Sequence, residues 1–178
     1  MSAALLQHRP AAERAGDAGV ALVRLLDRLA RTVRAIPSSA YRARPSQLSG
    51  SVGEHVRHCL DHVAALVDAA LTEHLSYDHR LRGTAIEISR EAALDKIDGL
   101  SSELMRLVAV PLTRPLAVDV LLERDGAQIV ARSSLGRELA YLVQHTVHHC
   151  AVISLLLERL GIPVEADLGL APSSPARH

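Results

Sequence analysis

The sequence predicts an all-α protein, a four-helix bundle with a short β-hairpin inserted before the last helix. Four segments carry apolar residues at intervals of three and four, the period of a helix that buries one face. A short segment between the third and the fourth of them alternates apolar and polar residues instead. The 178 residues include no Phe and no Trp, so Leu, Val and Ala must fill the core, which suits helix packing.

The first helix is predicted over residues 10–36, and Pro37 ends it because a proline has no amide hydrogen for the helical ladder. A loop follows, and the second helix is predicted over residues 52–75. It begins with a capping box, in which the Ser51 hydroxyl and the Glu54 carboxylate each accept the backbone amide of the other residue.

Residues 76–88 are predicted to form a polar loop, and Ser89 is a suitable N-cap for a third helix that ends near residue 110. Apolar and polar residues then alternate over 116–131, around the strong turn signal Asp125-Gly126. We predict a short hairpin here. A loop in which the alternation arises by chance is the alternative.

The last helix is predicted to start after Ser133 or Ser134 and to end before Gly161, a residue that suits a helix C-terminus. The residues that follow, 163–178, are predicted to form an extended tail on the surface. The helix itself is the longest of the four.

Length and composition limit the classes of protein to which the chain can belong. The length favours one domain, 1–178, with a core over about residues 10–162. Lys plus Arg and Asp plus Glu both number 20, so there is no basic surplus for phosphates, and nucleic-acid binding is not expected. No uninterrupted apolar stretch reaches the roughly 20 residues that span a bilayer, and the first ten residues lack the pattern of a secretory signal. We therefore expect no membrane association and a cytoplasmic protein whose cysteines stay reduced.

The ten histidines are informative because most of them fall in two predicted helices. His145 and His149 are one turn apart on one face of the last helix, so both imidazoles can face one ion. A lone core histidine usually only packs and hydrogen-bonds, but two in register opposite a second histidine-rich helix favour a metal site. The positions are His55, His58, His62 and His74 in the second helix, and His145, His148 and His149 in the last.

The second helix must supply the remaining ligand, and the periodicity leaves open which histidine it is. His55 and His62 border the apolar face, whereas His58 lies further round towards the charged side. The period by itself slightly favours His55 or His62. A helix in a bundle touches two neighbours, however, so a flanking residue can also face inward.

Two motifs resemble those of the DinB-like family. The run from Ser51 to His58 (SVGEHVRH) is similar to the family's second helix, in which a metal-binding histidine follows a Ser or Thr by seven residues. The run QHTVHH, residues 144–149, resembles the last-helix motif, in which the first and the last histidine bind metal. The resemblance covers about residues 15–175. Three shorter stretches also resemble a subgroup of the family: 77–79, 135–139 and 169–173.

The resemblance implies three metal ligands, one in the second helix and two in the last: His58, His145 and His149. The other nearby histidines are then expected outside the coordination sphere: His55, His62 and His148. One divalent transition metal is implied, and because imidazole suits Zn, Ni and Fe alike, the sequence does not select among them. After the last ligand many members carry Arg-Gly-Gln, whereas this chain has Cys150-Ala-Val. The roles of those residues therefore do not transfer.

Family members are implied to be homodimers, and some are metal-dependent transferases that join a low-molecular-weight thiol to an electrophilic substrate. We expect either such an enzyme, with metal-assisted hydrolysis as a sub-case, or a non-catalytic metal-binding or interaction module. An enzyme should have a cavity beside the metal, whereas a structural site should be closed by a fourth protein ligand.

The sequence assigns no catalytic residue. Asp61 and Glu138 are expected to be solvated helix charges rather than partners of the site. Cys59 is expected in the core, and coordination by Cys59 or Cys150 is not expected, because each is turned by about 100° from the histidine that precedes it.

Overall fold

This computed structural model describes residues 15–46, 48–78, 82–107, 109–123, 126–171 and 173, with the backbone alone for 15–17. Most of these residues are in helices. The predicted helical class is therefore confirmed, and the predicted start of the first helix lies outside these residues. The elements are α1 (Ala15–Ala35), α2 (Ser38–Arg42), α3 (Val52–Thr72), β1 (His74–Ser76), α4 (Ala85–Ile88), α5 (Arg90–Leu107), β2 (Pro115–Leu121), β3 (Gln128–Ser134) and α6 (Leu135–Arg159).

The four long helices bury one another's apolar faces. α1 packs against α5 and α6, and α3 packs against the same two helices. Each fully buried leucine or valine contributes about 1.5–3 kcal/mol through its removal from water, so this interior holds the helices in place. Its members include Leu26, Val33, Leu60, Leu66, Leu100, Leu142 and Leu156.

Three long helices begin where the sequence predicts a cap. At α3, the Ser51 hydroxyl accepts the Glu54 amide at 3.2 Å, and the Glu54 carboxylate accepts the Ser51 amide at 2.8 Å. At α5, the Ser89 hydroxyl accepts a backbone amide of the first turn at 3.1 Å. At α6, the N-cap is Ser134 rather than Ser133, and its hydroxyl accepts the Arg137 amide at 3.3 Å. These contacts are local in sequence, which is why the pattern predicts them.

The second helix ends earlier than the sequence predicts. α3 stops at Thr72, and Glu73 takes a left-handed backbone conformation with φ of 61°. His74, which the histidine pattern assigns to this helix, instead lies in β1, which pairs in parallel with β2. Pairing with a distant segment makes these three residues a strand, so their own periodicity could not predict it.

A small three-stranded sheet has the order β1-β2-β3. In the chain, β2 and β3 lie between α5 and α6, whereas β1 follows α3. β2 and β3 pair antiparallel along their whole length, where the alternation predicts two strands, and β1 is the strand that the sequence does not predict. Leu116 and Val118 are buried and turn one face of the sheet towards the core. Of the predicted turn, Asp125 lies outside the described residues, and the Gly126 amide donates to the Glu123 carbonyl at 3.3 Å.

Two short helices lie in segments that the sequence predicts as loops. α2 follows α1 directly, and α4 precedes α5. Tyr41 of α2 is fully buried and donates its hydroxyl to the Ile86 carbonyl of α4 at 2.7 Å. Helices of one turn contain too few residues to show a hydrophobic period, so the pattern misses them.

The tail after α6 is anchored on the helices, whereas the sequence predicts an extended surface segment. Leu168 is buried and belongs to the core. Just before it in the chain, Asp167 pairs with Arg28 at 3.0 Å and Glu165 pairs with Arg31 at 3.2 Å, both arginines being on α1. A single leucine gives no period, which is why this contact is not visible in the sequence.

Among the described residues, α6 is the one helix whose length and mean hydropathy, 1.2, would allow it to cross a membrane. Many of its apolar side chains are buried against α1 and α3. A core helix passes the same test of length and composition, so this finding is weak support for a membrane segment.

Substitution of Gly53 would test how tightly the start of α3 is packed. A Cβ atom there would overlap the Glu87 carbonyl and lie 2.7 Å from Cε1 of Tyr41. We expect Gly53→Ala to destabilise the protein by about 1–3 kcal/mol, as at other overpacked positions. Gly99→Ala is the matched control, because its Cβ would meet nothing within 4 Å and alanine favours a helix by about 0.5–1 kcal/mol. Urea unfolding measures both changes, and a Gly53→Ala midpoint at or above that of the wild type would contradict the packing.

Candidate metal centre

Histidine rings meet where α3 packs against α6. The ring centre of His58 is 4.5 Å from that of His149 and 4.9 Å from that of His145, and the ring centre of His62 is 4.3 Å from that of His145. Residue numbers rise along α3 as they fall along α6, so the two helices run antiparallel here. We call the five residues of this group the histidine cluster: His55, His58, His62, His145 and His149.

Two hydrogen bonds in series, between the Ser49 carbonyl and His55 and between His55 and His149, set the tautomer of His149. The Ser49 carbonyl oxygen lies 2.9 Å from Nε2 of His55, and because a carbonyl only accepts, that nitrogen carries the hydrogen. In the neutral ring Nδ1 of His55 is then an acceptor, and it lies 3.1 Å from Nδ1 of His149. His149 therefore donates through Nδ1, and its Nε2 keeps the lone pair.

His62 has the same tautomer for a similar reason. Its Nδ1 lies 3.0 Å from the carbonyl oxygen of His58, one turn earlier, so Nδ1 donates and Nε2 keeps the lone pair. The Tyr77 ring stacks on the His62 ring with centres 4.9 Å apart and planes 11° apart. A hydrogen bond and a stacking contact together fix this buried ring.

The surroundings of His149 keep it neutral. Burial first, and then the neighbouring imidazoles of His145 and His55, lower the pKa of His149 to about 3. Only the deprotonated nitrogen of an imidazole binds a metal, and protonation competes with it. His149 is therefore ready to act as a ligand at neutral pH.

The structure brings the three predicted ligands into one cluster. The ring centres of His58, His145 and His149 lie within 4.9 Å of one another. The described residues also contain a group of nitrogens compact enough for one ion, all within 4.8 Å of one another, and it comprises His58, His62 and His145. His62, which the resemblance is expected to leave outside the coordination sphere, therefore lies in this compact group of nitrogens. The ligand set itself stays a prediction.

A signal for His62 was present in the sequence. His58 and His62 are four residues apart, the spacing that identifies His145 and His149 on the other helix. His148, between the pair on α6, is exposed, with its ring centre 5.2 Å from that of His149.

A cavity of about 340 Å³ opens beside the cluster, and we call it the strand-side cavity. His58, His62 and His145 line it together with Tyr77 and Tyr141. The Tyr141 ring stacks on that of His145 at 5.5 Å. Other lining residues are Val118, Asp119, Val120, Leu121 and Arg137. The volume and the mixture of apolar, aromatic and polar walls are typical of a site for a small molecule.

Glu138 lines the same cavity as a buried carboxylate, with 2% of its surface exposed. It accepts the Ser133 hydroxyl at 2.6 Å, the Tyr77 hydroxyl at 3.0 Å and the Arg137 guanidinium at 3.0 Å. The expectation of a solvated charge is wrong, because Tyr77 and Ser133 reach the first turn of α6 from outside that helix. Asp61 is partly exposed and pairs with Arg57, one turn earlier on α3.

A second cavity, of about 630 Å³, reaches the cluster on the side of His149. His58 lines both cavities, and His55 and His149 line only this one. We call it the loop-side cavity, because Ser49 and Gly50 also line it. Its other polar groups include Arg44, Glu54, Arg57, Arg82 and Glu87.

Both cysteines are free and buried. Burial raises the pKa of the Cys59 thiol well above its usual value and that of Cys150 to about 12. The compact nitrogen group contains neither residue. Cys59 therefore lies in the core, as the sequence predicts.

The chain is similar to known proteins over most of its length. The family described as the DinB superfamily matches residues 21–153, about three quarters of the chain, and this segment contains the histidine cluster. FK506-binding protein 5 from Rhizopus delemar is 35% identical over 101 residues. The alignment covers 56% of this chain and 26% of that protein, so the chain spans about a quarter of its relative's length. No solved structure gives a significant match.

The hydrogen bonds of His55 predict the tautomer of His149. In the metal-free protein, long-range ¹H–¹⁵N NMR should show His149 with its hydrogen on Nδ1. His55→Ala removes the acceptor, so both tautomers of His149 should become populated. His148→Ala, which removes an exposed histidine from the same helix, should leave the signals of His149 in place. A His149 that carries its hydrogen on Nε2 in the wild-type protein would contradict this hydrogen-bond order.

Proposed function

The chain belongs to the DinB superfamily, and from this membership and the geometry of the histidine cluster we propose that it is a metal-dependent transferase that uses a low-molecular-weight thiol. The observation that carries the proposal is the strand-side cavity, which opens directly onto imidazoles that could hold an ion. This is the arrangement expected of an enzyme.

The residues of the cluster fit a divalent transition metal. His149 is neutral. Its Nδ1–H donates a hydrogen bond to Nδ1 of His55, so its Nε2 carries the lone pair that can bind a metal. A metal-bound histidine commonly donates a hydrogen bond from its other ring N–H, which fixes the orientation of the ring and raises the basicity of the ligating nitrogen. We assign His58, His145 and His149 as ligands, following the family register. Imidazole suits Zn, Ni and Fe, so the proposal covers all three metals.

A bound ion would act as a Lewis acid and lower the pKa of a thiol or water bound to it. The chain's own side chains hold the reactants. Tyr77, Tyr141 and the apolar residues of β2 form walls against which an electrophilic substrate can pack. Arg137, whose guanidinium lies 5.4 Å from the centre of the Tyr141 ring, offers an exposed cation at the same cavity.

Two cavities favour a transferase over a hydrolase. A transferase must bring two organic reactants to one centre, whereas a hydrolase needs one reactant and water. The strand-side cavity reaches the cluster beside His62, and the loop-side cavity reaches it beside His149. Each reactant therefore has its own approach to the same imidazoles.

The wider setting is also part of the proposal. We infer a homodimer of four-helix bundles in the cytoplasm, where small thiols are abundant and both cysteines stay reduced. A non-catalytic metal-binding or interaction module is the alternative function.

Metal binding is the first test. Purified protein is expected to carry about one divalent ion per chain, and His145→Ala and His149→Ala should each lose most of it. His148→Ala, at an exposed position between them, should keep it. Occupancy should fall as the pH is lowered, because protons compete with the metal for imidazole nitrogens, although His149 itself resists protonation down to its pKa of about 3. Elemental analysis measures all of this, and protein that holds no metal after incubation with Zn or Ni would refute the proposal.

Catalysis is tested separately from binding. The metal-loaded protein is assayed with a panel of electrophiles and several cellular thiols, and thiol-dependent consumption of one electrophile is expected. Val120→Phe reduces the strand-side cavity without touching a proposed ligand, so it should lower turnover about tenfold or more while the metal content stays unchanged. Metal-loaded protein that is inactive with every pair would favour the non-catalytic module.

A further inference from the structure

The two helices of the centre carry matching histidine pairs. His58 and His62 on α3 are separated by four residues, as are His145 and His149 on α6. Each pair therefore occupies one face of its helix at successive turns. Because the helices run antiparallel, His62 lies beside His145 and His58 beside His149. His58 and His145, which belong to different helices, also lie next to each other, with their ring centres 4.9 Å apart.

His62 has the features of a ligand rather than of a packing residue. Its nitrogen belongs to the group in which all ligand atoms lie within 4.8 Å of one another. Its Nδ1 donates to the His58 carbonyl, so the lone pair is on Nε2. Donation of the second nitrogen to a backbone carbonyl is the common arrangement of a metal-bound histidine. The stacked Tyr77 ring holds the imidazole in this orientation.

We propose that His62 is a fourth imidazole ligand, so that α3 and α6 each contribute a His-x-x-x-His pair to one ion. This inference rests on the metal binding of the proposed function and adds a residue that the family register leaves out. A fourth imidazole ligand also restricts which metals could support catalysis at this site. Four imidazoles fill the positions of a tetrahedral ion but leave two on a six-coordinate ion. A catalytic centre of this kind therefore requires a metal that accepts more than four ligands.

His62→Phe is the main test variant. The phenyl ring keeps the packing against Tyr77 and removes both ring nitrogens. His62→Gln is the second variant, because its amide can still donate to the His58 carbonyl. His148→Phe is the matched control, since it makes the same substitution at an exposed histidine of the adjoining helix. Circular dichroism and thermal unfolding of the metal-free proteins establish that each variant is folded.

The probe is Ni²⁺ added to the metal-free protein. X-ray absorption spectroscopy counts the imidazoles around the ion, and a competition titration gives its affinity. We expect four imidazoles in the wild type and in His148→Phe, and three in both variants of His62. The affinity for Ni²⁺ should fall at least about tenfold in those two variants, as changes around histidine metal sites commonly do.

The outcomes distinguish this inference from the proposed function. Three imidazoles in the wild type, with the affinity of His62→Phe unchanged, would overturn the role of His62 and leave metal binding intact. Wild-type protein that binds neither Ni²⁺ nor Zn²⁺ would instead refute the proposed function, and this inference with it.

Discussion

The packing of α3 against α6 is the contact on which both the core and the centre depend. The buried face of α3 carries Val56, Leu60 and Val63 beside His62, so aliphatic side chains and an imidazole are removed from water together. An imidazole is stable in such surroundings when it is neutral and hydrogen-bonded. The carbonyl of His58 and the relay from Ser49 through His55 provide those bonds. The interaction that stabilises the fold therefore also fixes the chemical state of the rings.

Short elements on either side of the two helices place the groups that surround the rings. The capping box at Ser51 fixes the turn before α3, and the Ser49 carbonyl that orients His55 lies in that turn. On the other side, β1 ends at Ser76, directly before Tyr77, which stacks on His62 and donates to Glu138. β1 also adds the fully buried Leu75 to the core. The contribution of the two elements to the centre is the position of one carbonyl and one aromatic ring.

Buried charges connect the elements around the centre. Glu138 joins α6 to the residues that precede it and to Tyr77, through three hydrogen bonds to a carboxylate that is 2% exposed. Arg57, also buried, joins α3 to α4 through Glu87 at 2.6 Å. A charge that is removed from water is costly unless it is paired or hydrogen-bonded. These pairs therefore restrict how the strands and α4 can sit on the long helices.

The sequence by itself determined the four long helices, the caps at Ser51 and Ser89, and the histidine pair at His145 and His149, because each of these follows from neighbours within a few residues. Only the tertiary structure decided that His62 joins the cluster, that Glu138 is buried, and that residues 74–76 form a strand. The helical period fixes the direction of a side chain about its own axis. Its distance from a residue on another helix depends on how the two helices slide and rotate against each other, and the packing of the whole core sets that register.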